Sequence, residues 1–477
     1  MSYIEGVERN QLILFPESID EYIEEDNPVQ FIDAFVDSLE VDELGFKYSI
    51  TEATGRPPYN PTDMLKLYLY GYLNRVRSSR SLEKETHRNI ELMWLVKKLT
   101  PDFKTIADFR KDNRKAIKKV CQEFTLLCKS LDLFGGGLVA IDGSKFKAVN
   151  SKKRNFNEAK LKKAIKEIDE KVDGYLAELE DNDNKEADIS RLMAEEVKAK
   201  VRLLKERREE YRGLLTGLKE SGESQISLTD PDSRAMLNNQ KIEVCCNVQT
   251  TVDSKHKLII DHEVTNEVTD HSQLSQMSKR AKEILEVEEL EVLADKGYYN
   301  GKEIKECVDN GIIPYIPKPA GNKGVNTSEA GYYKGRFRYE PQEDAYICPA
   351  ASKLFFKGIA HYQGKVMRMY KGEDCPGCRL RDKCIRNGKR RVIYRWEHED
   401  ILEEMGKRVQ ADKEKVRMRQ WLSEHPFGTI KRSFNQGYML LKGLEKVSAE
   451  ASLSVLAYNI KRVINILGLK ELIEVVS

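Results

Sequence analysis

The sequence predicts an α/β protein: a helical N-terminal part, a mixed sheet, an inserted helical hairpin and a cysteine-bearing insertion. Three observations carry this. Residues 60–135 repeat apolar side chains at roughly helical spacing. Leu138, Val139, Ala140 and Ile141 follow a triple-glycine turn as an unbroken apolar run, which suits a strand buried on both faces. Residues 151–225 hold eighteen bases and eighteen acids with sparse Leu and Ile, the pattern of two long solvated helices sharing a thin seam.

Residues 1–50 form an acidic segment of thirteen acids against two bases, Arg9 and Lys47. Residues 51–135 reverse the balance, with seventeen bases and ten acids, and are expected to be a helical DNA-binding domain. Asn60 caps and Pro61 opens its first helix, which buries Met64, Leu65, Leu67, Tyr68, Tyr72 and Leu73. Ser81 can cap a second helix from Leu82, and residues 100–120 supply two more with a basic face. The sheet domain is expected from 136–155, 226–340 and 396–477, with the hairpin inserted at 156–225. Within it, residues 241–265 read as two strands turning at Asp253-Ser254-Lys255, and 270–285 as a helix. Residues 290–311 read as strand, loop and helix, 312–319 as a short strand, and 398–470 as helical. Between them, 341–395 is a cysteine-rich basic insertion; residues 357–391 alone carry eleven bases and three acids.

Two acids share one design. Asp142 ends the apolar run and is followed by Gly143, Ser144 and Lys145. Asp295 ends Val292-Leu293-Ala294 and is followed by Lys296 and Gly297. Carboxylates converging at the edge of a sheet suit hard divalent cations, and two such ions ~3.5–4 Å apart can activate water and stabilise the leaving oxygen of a phosphodiester. Each Asp can equally end its strand or cap the next helix. Glu424 is the candidate third acid, expected near the start of a helix and followed by His425, Lys431 and Arg432. Lys145 and Lys296 can contact phosphate or lie in solvent.

Of nine cysteines, Cys348, Cys375, Cys378 and Cys384 fall in one polar stretch, and Cys375-Pro-Gly-Cys378 is a knuckle suited to structural Zn²⁺. His361 can replace one ligand. Cys121, Cys128, Cys245, Cys246 and Cys307 sit in apolar runs and are expected in the core. The odd cysteine count argues against a disulfide framework. No 18-residue apolar run spans a membrane, and the acidic N-terminus lacks a signal-peptide core, so a cytoplasmic setting is expected.

"AIDGSKF", "TDPDSRAM", "LADKGYYN", "EHPFGTIKR" and "AYNIKRVINIL" resemble motifs of bacterial insertion-sequence transposases of the DDE class, in that family's order. "YNPTDMLKLYLYGYLNRVRSSRSLE" resembles their N-terminal domain. The resemblance spans roughly residues 45 to 467. It implies a ribonuclease-H-like catalytic domain whose acids are Asp142 on the first strand, Asp295 after the fourth, and Glu424 on a later helix. It also implies two Mg²⁺ or Mn²⁺ ions per site, double-stranded DNA as partner, and a homodimer or larger assembly on DNA. The family's pattern around the third acid is Tyr, two residues, Arg, three residues, Glu, six residues, Lys. Glu424 and Lys431 match it; Arg417 stands at the Tyr position and Gln420 at the Arg position, with Arg419 adjacent. Lys145, Lys296, Arg417, Arg419, Lys431 and Arg432 are thus the expected DNA contacts, and the insertion resembles a zinc ribbon. Asp230 and Asp232 form a turn that lies near the active site in this family. Two alternatives stay open: a catalytically silent DNA-binding descendant, and a metal-dependent nuclease without strand transfer.

Overall fold

The structure, a computed structural model, describes residues 18–48, 57–183, 188–319 and 332–476. Residues 1–17 of the acidic segment, including Arg9, and residues 184–187 of the expected hairpin lie outside them.

Among the described residues, α-helices precede the sheet: α1 (Pro28–Asp37), α2 (Val41–Leu44), α3 (Pro61–Leu73), α4 (Ser79–Thr86), α5 (Ile90–Leu95), α6 (Phe103–Asp112) and α7 (Arg114–Ser130). Asn60 caps α3 as expected, its side chain accepting from Thr62 N at 2.9 Å. The second cap differs from expectation. Ser78, not Ser81, accepts from the backbone, taking Ser81 N at 3.1 Å, so α4 starts three residues earlier. Both serines offer a hydroxyl; the winner is the one left outside the first turn.

β1 (Leu138–Lys147) opens the sheet. β2 (Asn155–Asn157) and β3 (Gln225–Ser227) pair antiparallel and close the base of a hairpin formed by α8 (Glu158–Asp183) and α9 (Asp188–Ser221). Its seam is thin: Ile168, Val172, Val197 and Val201 make one small apolar cluster and Phe156, Leu161 and Leu218 another. β4 (Arg234–Asn238), β5 (Lys241–Asp253) and β6 (Ile259–Thr265) follow, then α10 (Leu274–Leu285), β7 (Leu290–Leu293), α11 (Gly301–Asp309) and β8 (Ile312–Tyr315). The sheet is mixed, ordered β4-β5-β1-β7-β8, with β6 also on β5. β1 is its axis, antiparallel to β5 and parallel to β7, and β7 is parallel to β8.

Five further strands, β9 (Arg338–Glu340), β10 (Ala345–Ile347), β11 (Lys353–Tyr362), β12 (Lys365–Gly372) and β13 (Val392–Trp396), form a second, antiparallel sheet. α12 (Arg381–Cys384) lies between β12 and β13. This sheet has its own core of Phe337, Tyr346, Leu354, Tyr370 and Ile393, an architecture the cysteines alone did not reveal. The chain ends in α13 (Glu399–Ala411), α14 (Lys413–Gly428), α15 (Leu444–Leu467) and α16 (Leu469–Val476).

α15 is buried nearly all round, from Val447 to Val463, so other elements must cover it on every side. α3 and α7 supply part of that cover, so the N-terminal helices and the main sheet share one continuous apolar core. Arg77 ties the two across the chain, donating to Tyr438 O at 2.9 Å and facing the buried Glu450 carboxylate at 3.4 Å. No helix among the described residues is long and apolar enough to cross a membrane.

Candidate active site

β1 is buried on alternate faces by different partners. Val139 and Ile141 join the main core, whereas Ala140 packs with Leu293, Tyr315 and Leu422 of α14. Sandwiched this way, the strand fixes the carboxylate at its fifth residue. β7 runs beside it with Val139 opposite Val292 and Ala140 opposite Leu293. Carrying that register two residues beyond the end of β7 sets Asp142 beside Asp295. Asp295 then caps the 3₁₀ helix Lys296–Tyr298, its Oδ1 accepting from Gly297 N at 2.7 Å.

Asp142 is 21% exposed. Its Oδ1 accepts from Gly143 N at 2.9 Å, and its Oδ2 takes Arg419 Nη1 at 3.1 Å. Burial raises its pKa and the Asp295 charge pushes the same way; the Arg419 guanidinium and the Ser423 hydroxyl favour the ionised form. Thr250 lies directly opposite Asp142 on β5, with a buried hydroxyl that has no hydrogen-bond partner among the described residues.

Glu424 does not join the pair. α14 starts after its cap Asp412, which accepts from Lys415 N at 2.8 Å, so Glu424 falls near the helix C-terminus rather than near its start. The expected macrodipole advantage is therefore reversed. The helix runs on through Pro426 into a π-helical turn, Thr429–Ser433. Arg419, Leu422 and Ser423 face the sheet, and at 3.6 residues per turn Glu424 points about 100° away from Ser423. It is exposed and accepts from Gln420 Nε2 at 3.0 Å.

The expected DNA contacts divide. Lys296, Arg417 and Arg432 are exposed. Lys145 is 14% exposed and turned onto Asp270 at 3.1 Å. Lys431 donates to Ser144 Oγ at 2.6 Å and to Lys145 O at 2.8 Å, and burial lowers its pKa to about 8. Asp230 and Asp232 meet the start of α15, accepting from Gly443 N and Leu444 N at 3.1 and 2.9 Å. His262 is buried against Ser452, its pKa depressed by burial to about 3.

Sequence reasoning missed Asp270, Asn247, Gln249 and Tyr298, which are hydrogen-bonded to one another next to Gly143. A signal existed. Asn247 and Gln249 interrupt the apolar strand "VCCNVQTTV", and buried amides need partners.

Among the described residues, no group of three or more His, Cys, Asp or Glu side chains is gathered in metal-holding geometry. The donors still sort by chemistry. Asp142, Asp295 and the orphaned Thr250 hydroxyl are all oxygen, the set a hard divalent ion takes. Cys348, Cys375, Cys378 and Cys384 line one cavity of about 30 Å³. Backbone N–H groups of Ser352, Arg391 and Leu380 point at Sγ of Cys348, Cys375 and Cys378 at 3.3, 3.4 and 3.4 Å, as donors to thiolates would. Burial raises the Cys384 pKa, and the other three thiols add to it. His361 is exposed on β11 and does not line the cavity. The other five cysteines are buried and free, as expected.

Residues 17–112 match the family described as Transposase domain (DUF772), and residues 347–464 match the family described as Transposase DDE domain. The two matches support an insertion-sequence transposase of the DDE class, the family that the sequence motifs resemble. The second segment contains Glu424 and the four clustered cysteines; Asp142 and Asp295 precede it. Comparisons with curated proteins and with solved structures returned no match.

Proposed function

We propose that the protein is a DNA transposase that binds the terminal inverted repeats of its element, cleaves there and joins the freed 3′-hydroxyl to target DNA. The observation that carries this reading is the register of parallel β1 and β7, which carries Asp142, in mid-strand on β1, toward Asp295 just beyond the end of β7, close enough for the Asp295 charge to act on Asp142. The strand order, with β1 central, antiparallel to β5 and parallel to β7, supports a ribonuclease-H-like catalytic domain.

In this reading Asp142 and Asp295 would hold Mg²⁺ or Mn²⁺, with Glu424 the third acid that the family resemblance implies. The ions supply Lewis-acid activation of water and of the scissile phosphate. The chain does the rest. β1 and the 3₁₀ helix fix the two carboxylates. Arg419 stands at Asp142, where phosphate charge gathers, and the exposed Lys296, Arg417 and Arg432 extend a basic approach for the backbone. Water serves as nucleophile in cleavage and a 3′-hydroxyl in transfer, so one set of side chains serves both steps. In the second sheet, Cys348, Cys375, Cys378 and Cys384, which line one cavity, would hold Zn²⁺ as a structural ion. Cutting two ends in concert calls for at least a homodimer on double-stranded DNA.

A second reading has its own observation. Glu424 is exposed and turned from the pair, as in a silent DNA-binding descendant. Incubating the protein with labelled end DNA, a plasmid target and Mg²⁺ or Mn²⁺ separates the readings. Strand-transfer products, lost on Asp142→Ala or Asp295→Ala, support the transposase. Cleavage without joining indicates a nuclease, and end binding without cleavage a silent binder.

A further inference from the structure

Asp270 lies in the loop between β6 and α10, outside any strand or helix. Its Oδ1 accepts from Asn247 Nδ2 and Gln249 Nε2, each at 2.7 Å, and from Lys145 Nζ at 3.1 Å. A carboxylate only accepts, so Gln249 must turn its NH₂ toward Asp270 and its carbonyl away. That carbonyl receives the Tyr298 hydroxyl. Asn247, Gln249 and Tyr298 are fully buried, so a flipped Gln249 amide would set its carbonyl against the carboxylate and take away the acceptor of the Tyr298 hydroxyl. Burial, with the charges of Asp270, Asp142 and Asp295, keeps the phenol protonated and so a donor.

The two ends of this chain of bonds matter. Tyr298 closes the 3₁₀ helix that Asp295 caps. Gln249 and Asp270 press against Gly143, the neighbour of Asp142. A Cβ at Gly143 would collide with Gln249 Nε2, stand 2.7 Å from Asp270 Oδ1 and lie 3.0 Å from Asn247 Oδ1. Glycine at 143 is therefore what lets the network pass directly beside Asp142.

We infer that Asp270 is a positioning residue: by fixing the orientation of the Gln249 amide, it locks the Asp295-bearing helix to β5 at a set separation from Asp142. Its catalytic consequence rests on the transposase reading; its structural consequence does not. Asp270 touches no reacting atom and acts through Gln249 and Tyr298.

The test uses the full chain. Asp270→Asn keeps the shape but supplies an NH₂, releasing Gln249 to flip, and Tyr298→Phe removes the hydroxyl at the far end. Both variants are expected to speed amide hydrogen exchange at Lys296–Tyr298 without metal. They are also expected to weaken Mn²⁺ binding by calorimetry and slow end cleavage, each roughly 10–100-fold, while DNA-end binding in chelator stays unchanged. The double variant Asp270→Asn/Gln249→Glu should restore all three, because the new carboxylate at 249 accepts from both the new amide at 270 and Tyr298. Unchanged exchange in both single variants overturns the inference whatever the protein does to DNA. Loss without rescue overturns it too, by reducing the effect to local damage. A wild-type protein that neither binds Mn²⁺ nor cuts DNA overturns the transposase reading, while the exchange result still decides the lock.

Discussion

Arg419 Nη1 lies 3.1 Å from Asp142 Oδ2, and the two side chains come from different layers, α14 and the central strand. The guanidinium occupies a carboxylate oxygen that an entering cation would use. It competes for that oxygen while lowering the cost of keeping the charge half-buried. Arg419→Gln is therefore expected to tighten Mn²⁺ binding several-fold in the absence of DNA. The loss of stability should be small, about 1 kcal/mol, because both partners are partly exposed. Calorimetric titration with Mn²⁺ checks this, and unchanged affinity would show that the pair does not guard the oxygen.

Asp142→Asn and Asp295→Asn are expected to reduce end cleavage by at least roughly a hundredfold while leaving end binding near wild type. Asp142 carries a second expectation. Its folded pKa is raised, so its ionised form costs the fold stability as pH climbs from the ordinary carboxylate range through the raised value. Asp142→Asn should thus gain stability relative to wild type at neutral pH, and the gain should vanish in acid, where wild-type Asp142 is protonated both folded and unfolded. Melting temperatures at several pH values read this directly.

The sequence exposed some of this and hid the rest for physical reasons. Asp142 and Asp295 stand out in the sequence because each ends an apolar run, a local signal, although at Asp142 the run ends and the strand does not: β1 continues to Lys147. Helix α3 was legible through Asn60-Pro61. Glu424 was recognisable by resemblance, but its orientation was not, because the cap that starts its helix, Asp412, lies twelve residues upstream with no periodic apolar stripe to link them. The five-stranded sheet was hidden behind its cysteines: Lys, Arg and aromatic residues on β11 and β12 mask the alternation. Asp270 has no periodic context at all. Its role comes from partners twenty or more residues away, on β5 and after β7.

Zinc offers an independent test. The second sheet has an apolar core of only five buried residues, separate from the main core. So small a core is expected to depend on its four thiols being bridged. Elemental analysis should find one zinc per chain, and Cys375→Ser/Cys378→Ser should lose it. Chelation should raise hydrogen exchange across β9–β13 while sparing β1 and β7, which belong to the main core. A native protein without zinc, or a sheet indifferent to chelation, removes the claim.

Lys431 gives the clearest pH dependence. Burial lowers its pKa from 10.5 to about 8, while the unfolded chain keeps the ordinary lysine value. Below pH 8 the ammonium is charged in both states, and the fold bears the cost of burying it. Between pH 8 and 10.5 the folded state has released its proton and the unfolded state has not, so stability contributed at this site rises with pH. The rise is at most about 3 kcal/mol. Chemical denaturation of wild type and Lys431→Met across that window should show wild type gaining on the variant as pH increases. DNA affinity should move the other way: if Lys431 contributes charge toward phosphate, end binding weakens above pH 8, well before exposed lysines titrate. A stability difference flat from pH 7 to 10.5 would mean that Lys431 keeps its proton in the fold, and that the Ser144 and Lys145 oxygens compensate its burial fully.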